Sequence, residues 1–101
     1  MKEILLLTVR ESRPLTGLGV LLQPESEARV LALWPLHTAL LVQLHYPGKQ
    51  EISTIASVEE VARAGEPGLR SLLLTQENAP LPPIGTEVWW LGEEARWEDL
   101  L

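Results

Sequence analysis

Histidine, cysteine and acidic clusters are the groups that would do catalysis or hold a metal, and this chain has few of them. It contains two histidines, His37 and His45, and no cysteine. A zinc site usually needs three or four ligands at recognisable spacing, and neither histidine has such companions in the sequence. The lack of cysteine excludes thiol catalysis, thiolate metal sites and disulfides. We therefore expect no metal and no cofactor.

The serines and acidic pairs do not form a hydrolytic pattern either. Glu59-Glu60 is accounted for by a helix N-terminus, where negative charge is favourable. Gly17-Leu18-Gly19 lacks the third glycine of a dinucleotide-binding loop. Three serines lie outside any nucleophile-elbow motif: Ser53, Ser57 and Ser71. We therefore predict that the chain is not an enzyme.

Tryptophan is the residue type that remains as an indicator of binding. The chain has four tryptophans and no phenylalanine. Trp89 and Trp90 are adjacent, so on a strand their side chains point to opposite faces. One indole then joins the core, and the other is either covered by residues 93–101 or left as a binding surface. The candidate partner-binding residues are Trp89, Trp90, Trp97, Glu93 and Glu94.

The segment before these tryptophans indicates a strand that begins after a turn. Pro80, Pro82 and Pro83 favour extended backbone, and Gly85 permits a turn. Residues 86–91 then alternate as on a strand. A short terminal helix is predicted over residues 93–101, and we expect it to fold back over this strand. It would carry three apolar side chains on one side: Trp97, Leu100 and Leu101.

Alternation and turn residues predict further strands along the chain. They cover residues 3–10, 15–23, 38–46, 50–56 and 69–75. Glu11–Pro14 is predicted as a turn because Pro14 has no backbone donor. Pro47-Gly48-Lys49 predicts an antiparallel hairpin between residues 38–46 and 50–56. In that hairpin one face would carry the apolar side chains Leu40, Val42, Leu44 and Tyr46.

Two further segments have helical signals. Ser57 and Glu60 have capping-box spacing, and Gly65 and Pro67 would end a helix of about two turns. Residues 25–34 fit either a helix or a strand over 29–34, and we favour the strand.

Length and composition indicate one domain, residues 1–101, with enough apolar residues for a core. We predict a mainly β fold, in which six or seven short strands form a small barrel or a strongly bent antiparallel sheet with one short helix. An α+β sandwich is the alternative if residues 25–34 are helical.

Charge and hydropathy restrict the partners. The net charge is −6, which argues against duplex nucleic acid as a ligand. No stretch approaches the roughly 20 apolar residues of a membrane span, and we expect a cytoplasmic protein.

The predicted function is a non-catalytic module that binds another protein or assembles, with a homo-oligomer left open. The alternatives are a small acidic inhibitor or immunity-type protein acting on a basic enzyme, and an enzyme of unrecognised type.

The order of turns and strands also carries a family resemblance. Five features follow one another along the chain: a strand, the Pro47-Gly48-Lys49 turn, the run Ser57-Val58-Glu59-Glu60-Val61, a further strand, and the segment from Pro80 to Trp89. In this order residues 40–92 resemble the small β-barrel at the N-terminus of subunits of hexameric DNA translocases and rotary ATP synthases. The resemblance implies an assembly or docking module, although this sequence lacks the motor domain that such barrels precede.

Overall fold

Six antiparallel strands close into a barrel in the computed structural model, which describes residues 3–76 and 80–94. The strands are β1 (Ile4–Leu15), β2 (Gly19–Pro24), β3 (Ala39–His45), β4 (Glu51–Arg63), β5 (Glu66–Leu74) and β6 (Glu87–Glu94). Their order around the barrel is β1-β2-β5-β4-β3-β6, and β6 pairs with both β1 and β3. The predicted mainly β barrel is confirmed, and the α+β sandwich is not the fold.

The interior of the barrel is built by the two-residue period of the strands. On β3, Leu40, Val42 and Leu44 are buried, while the residues between them are partly exposed. The predicted hairpin is confirmed, because β3 pairs with β4 from Ala39↔Ser57 to His45↔Glu51. The other strands add their inward side chains to the same core, including Val9, Leu22, Val58, Leu72 and Val88.

The turn predicted at Glu11–Pro14 is wrong, because β1 continues to Leu15. Pro14 pairs with Val20 of β2. β1 pairs with β6 only through Ile4–Thr8, so Pro14 lies where the strand has no partner in β6. A missing backbone donor is tolerated best at such a position. The connection to β2 comes after Leu15, where the Leu18 N–H donates to the Leu15 carbonyl at 2.9 Å.

The helix predicted after Ser57 is also wrong, since Ser57 lies in the middle of β4. This part of β4 pairs with β3 on one side and with β5 on the other, for example at Ala39↔Ser57 and Ser57↔Leu73. The flanking residues Ala56 and Val58 are both fully buried. A helix of two turns would bury a narrow stripe, whereas the strand completes two ladders, so tertiary pairing overrides the local capping signal.

Residues 25–34 form neither the favoured strand nor an α-helix, but contain a 3-10 helix over Arg29–Leu33. Its hydrogen bonds span three residues, with the Leu31 N–H donating to the Ala28 carbonyl at 3.1 Å. Leu31 and Trp34 enter the core from this segment, while Leu33 faces solvent. A strand would place Leu31 and Trp34 on opposite faces, which explains why the shorter helical turn forms instead.

The proline-rich segment before β6 protects the free edge of β1. Beyond Thr8, the Val9 N–H donates to the Thr86 carbonyl at 2.8 Å, and the Gly85 N–H donates to the Val9 carbonyl at 2.9 Å. The Ser12 hydroxyl donates to the Pro82 carbonyl at 2.6 Å. Both backbone groups of Val9 therefore find partners in the loop, and the Ser12 side chain holds the loop further along this edge of β1.

Replacing Thr86 with valine is expected to lower the free energy of unfolding by about 1 kcal/mol. Thr86 is fully buried, and its hydroxyl donates to the Pro83 carbonyl at 2.7 Å. Valine keeps the shape but removes the donor inside the protein. Chemical denaturation measures the loss.

Thr38 provides the matched control. Its hydroxyl donates to the Pro35 carbonyl at 2.8 Å in a solvent-exposed hydrogen bond, and the residue is only partly buried. Water replaces the lost donor there, so Thr38→Val is expected to change stability by less than about 0.5 kcal/mol. Equal losses in the two variants would contradict the burial of Thr86.

The terminal helix is predicted over residues 93–101, but Glu93 and Glu94 still belong to β6. The rest of that helix, and its fold over the Trp89–Trp90 strand, lie in residues 95–101, outside the described residues. Within residues 3–76 and 80–94, no helix is long and apolar enough to cross a bilayer.

Candidate protein-binding face

The two adjacent tryptophans of β6 point to opposite sides of the barrel wall, as the sequence predicts. Trp90 pairs with Val42 on β3 and with Ile4 on β1, and it packs against the core. Its ring makes an edge-to-face contact with Trp34, with ring centroids 5.0 Å apart and an interplanar angle of 72°. Trp90 is therefore the core indole, and Trp89 lies on the outer surface.

Neighbouring strands bring other side chains to the same outer surface. Residues paired across a ladder share one face of the sheet, so the pairings of Trp89 and Glu87 identify them. Trp89 pairs with Leu5 on β1 and with Gln43 on β3. In the adjacent row, His45 of β3 lies between Glu87 and Glu51. We call this set the Trp89 face, and it consists of Leu5, Gln43, His45, Glu51, Glu87 and Trp89.

Hydrogen bonds hold the polar groups of the Trp89 face. The Trp89 Nε1–H donates to Glu87 Oε1 at 3.1 Å. His45 Nε2 lies 2.8 Å from Gln43 Oε1 and 3.5 Å from Glu51 Oε2. In the tautomer that carries the proton on Nε2, the ring donates to these oxygens. The His45 ring is tilted by 32° against Trp89, with centroids 5.9 Å apart.

Apolar surface accompanies this polar network. Trp89 is partly exposed, and Leu5 keeps 39% of its surface accessible to solvent. Beside Trp89, the outward pair Leu41↔Ile55 on β3 and β4 is also partly exposed. An aromatic ring with aliphatic neighbours and acidic groups at its border is an arrangement suited to contact with another protein.

The structure places the sequence-predicted site residues in different surroundings. Trp89 and Trp90 are separated by the sheet, and Trp97 lies outside the described residues. Glu93 and Glu94 belong to β6, but their side chains are not described. Sequence reasoning did not find the partners of Trp89, although the alternation on β3 and the hairpin turn contained the signal for His45 opposite Glu51.

The second histidine has acidic and hydroxyl neighbours, but not in a catalytic order. His37 Nδ1 lies 2.9 Å from Glu59 Oε1, and the Ser57 hydroxyl donates to Glu59 Oε2 at 2.9 Å. In a catalytic pair the serine hydroxyl is hydrogen-bonded to the imidazole. Here the carboxylate of Glu59 lies between the hydroxyl and the imidazole. Among the described residues, no group of three or more histidine, aspartate or glutamate side chains is arranged to hold a metal ion.

Comparison with known proteins gives no relative: no family model, no curated protein and no solved structure matches this chain. The resemblance of residues 40–92 to translocase and ATP-synthase barrels therefore stays a prediction from the turn residues. Any functional proposal rests on the geometry of this barrel.

Proposed function

We propose that this chain is a non-catalytic protein-binding module whose partner contacts the Trp89 face. The observation that carries the proposal is the outward position of Trp89 on β6, where the sheet separates it from the core. Tryptophan contributes strongly to binding free energy at protein interfaces, because its ring buries a large area with few rotatable bonds.

The surroundings of Trp89 support a protein partner over a small ligand. The wall is the convex outer side of a closed barrel, and its side chains come from four neighbouring strands. Leu41 and Ile55 extend the apolar area beyond the indole. A small ligand is usually enclosed in a concave pocket, whereas a broad convex surface is covered by another macromolecule.

A second candidate function, the small acidic inhibitor of a basic enzyme, uses the same surface. Glu51 and Glu87 on either side of His45 favour it. Both candidates require a protein in contact with Trp89, so one experiment tests their shared claim.

The test places the photoreactive amino acid benzoylphenylalanine at Leu41 or, as a control, at Leu18. Leu18 is 61% exposed and lies just after the end of β1, whereas Leu5 lies at the start of that strand. Leu18 is therefore outside the Trp89 face. In the cells from which the protein comes, we expect a protein adduct from position 41 and none from position 18. The partner is then purified for binding measurements.

With the purified partner, Trp89→Ala is expected to weaken binding at least tenfold, about 1.4 kcal/mol, and Leu18→Ala less than twofold. Thermal unfolding of each variant checks that the barrel is intact. Identical adducts from positions 41 and 18, or a purified partner that binds Trp89→Ala as tightly as the natural protein, would refute the proposal.

A further inference from the structure

The Trp89 face combines an aromatic ring with carboxylates, and that combination has a specific ligand chemistry. Glu87 accepts the indole N–H at the ring edge, and the His45 ring lies 5.9 Å from the indole. The π surface of Trp89 that His45 leaves uncovered is the apolar part of the face. Glu51 is 53% exposed at its side chain, so its carboxylate remains accessible although His45 Nε2 lies 3.5 Å away. A π surface and accessible carboxylates both attract a cation.

The charge around the face is one-sided. The strand segments that carry the face are residues 4–8, 39–45, 51–55 and 87–94, and they contain no lysine or arginine. The arginines of β1 and β4 lie further along those strands, at positions 10, 13 and 63. Arg29 of the 3-10 helix is paired with Glu27 at 3.1 Å. Lys49 lies in the turn between β3 and β4 and is the closest cation along the chain to Glu51. The two carboxylates Glu51 and Glu87 are therefore not matched by cations from the strand segments that carry the face.

We infer that the Trp89 face binds a basic segment of its protein partner, with an arginine or lysine side chain on the part of Trp89 that His45 leaves uncovered, next to the carboxylates of Glu51 and Glu87. This inference rests on the proposed function and names the chemistry of the partner. Arginine fits better than lysine, because its planar guanidinium stacks on an indole and also bonds a carboxylate through two N–H groups.

The same charges disfavour a second copy of this chain as the occupant. A two-fold interface places each surface patch against its own equivalent. Glu51 and Glu87 would then meet the carboxylates of another copy, in a protein whose net charge is already −6. Like charges brought together at an interface are repulsive, so charge complementarity selects a basic partner.

The first measurement uses three blocked heptapeptides of glycine and serine that carry two arginines, two lysines or two glutamates. Each is titrated into the 15N-labelled protein at low ionic strength, and the indole N–H signal of Trp89 is followed. We expect the arginine peptide to bind most tightly, the lysine peptide severalfold more weakly, and the glutamate peptide to cause no shift. Added salt should weaken both basic peptides.

Variants then locate the binding. Trp89→Leu is expected to weaken the arginine peptide at least tenfold, and Trp89→Phe less, because phenylalanine keeps a weaker π surface. Glu51→Gln should weaken it two- to fivefold. Glu11→Gln is the matched control, since it removes the same charge from an exposed glutamate beside Arg13, away from the Trp89 face. It should change affinity by less than 1.5-fold.

Equal effects of Glu51→Gln and Glu11→Gln would mean diffuse attraction to an acidic protein, and would overturn the inference. Absence of any Trp89 shift with the arginine and lysine peptides would overturn it too. If the photocrosslinked partner nevertheless needs Trp89, the face binds a protein by other chemistry and the proposed function stands. If the peptides bind but no adduct forms at position 41, the face has the inferred affinity for a cation, and the claim that fails is its use for binding a protein partner.

Discussion

Leu31→Ala is expected to lower the free energy of unfolding by about 3 kcal/mol, within the 2–5 kcal/mol range for buried leucines. Leu31 lies on the 3-10 helix and is fully buried in the core. Its side chain enters the core together with Trp34, which contacts Trp90. Removing three carbon atoms there leaves a cavity that the closed barrel cannot fill by collapsing. The total free energy of unfolding of a small domain is only about 5–15 kcal/mol, so a loss of this size is a large fraction of it.

Leu33 of the same helix gives the matched control. It is the same residue type two positions further along, but it is 71% exposed. Leu33→Ala is expected to change stability by less than about 0.5 kcal/mol. Both variants are compared by urea denaturation, followed by tryptophan fluorescence. A loss below about 0.5 kcal/mol at both positions would show that the segment is an ordinary surface loop and that its contact with the core is wrong.

β3 and its hairpin could be predicted from the sequence because their signals are local. Leu40, Val42 and Leu44 alternate with less buried residues, and Pro47-Gly48-Lys49 fixes the turn. Lys49 takes a positive φ of 69° in that turn, and its N–H donates to the Tyr46 carbonyl at 2.8 Å. Period and turn thus specify the same structure within one short stretch, which is where sequence patterns are most informative.

The wrong predictions come from places where distant pairing decides. The Ser57–Glu60 spacing is a local signal worth about 1 kcal/mol. The ladders of β4 extend much further, because it pairs with β3 over residues 51–57 and with β5 over residues 56–63. The position of β6 between β1 and β3 is likewise a long-range property. The contact of Trp89 with His45 depends on that position. The alternation of side chains along each strand predicts which face a residue lies on, but it does not predict which strands are neighbours.

Gly19→Ala is expected to lower the free energy of unfolding by about 3 kcal/mol or more, since backbone strain and overpacking each contribute roughly 1–3 kcal/mol. Gly19 begins β2 and has a φ of +132°, which side-chain-bearing residues rarely adopt. A β-carbon there would overlap the backbone carbonyl of Leu74, at the end of β5. A flexible side chain would rotate away, but this carbonyl belongs to the strand that pairs with β2 through Val20↔Leu74.

Gly17 separates the two causes, because it lies in the same β1–β2 connection with a φ of +77° and has nothing within 4 Å of an added β-carbon. Gly17→Ala therefore incurs the conformational cost alone, about 1–2 kcal/mol. The difference between the two variants in chemical denaturation, measured with an osmolyte if Gly19→Ala is too unstable in buffer, reports the steric conflict with Leu74. Equal losses at Gly17 and Gly19 would mean that β2 can move away from β5 at little cost. The close pairing that joins β2 to β5 and completes the barrel would then be wrong at this end.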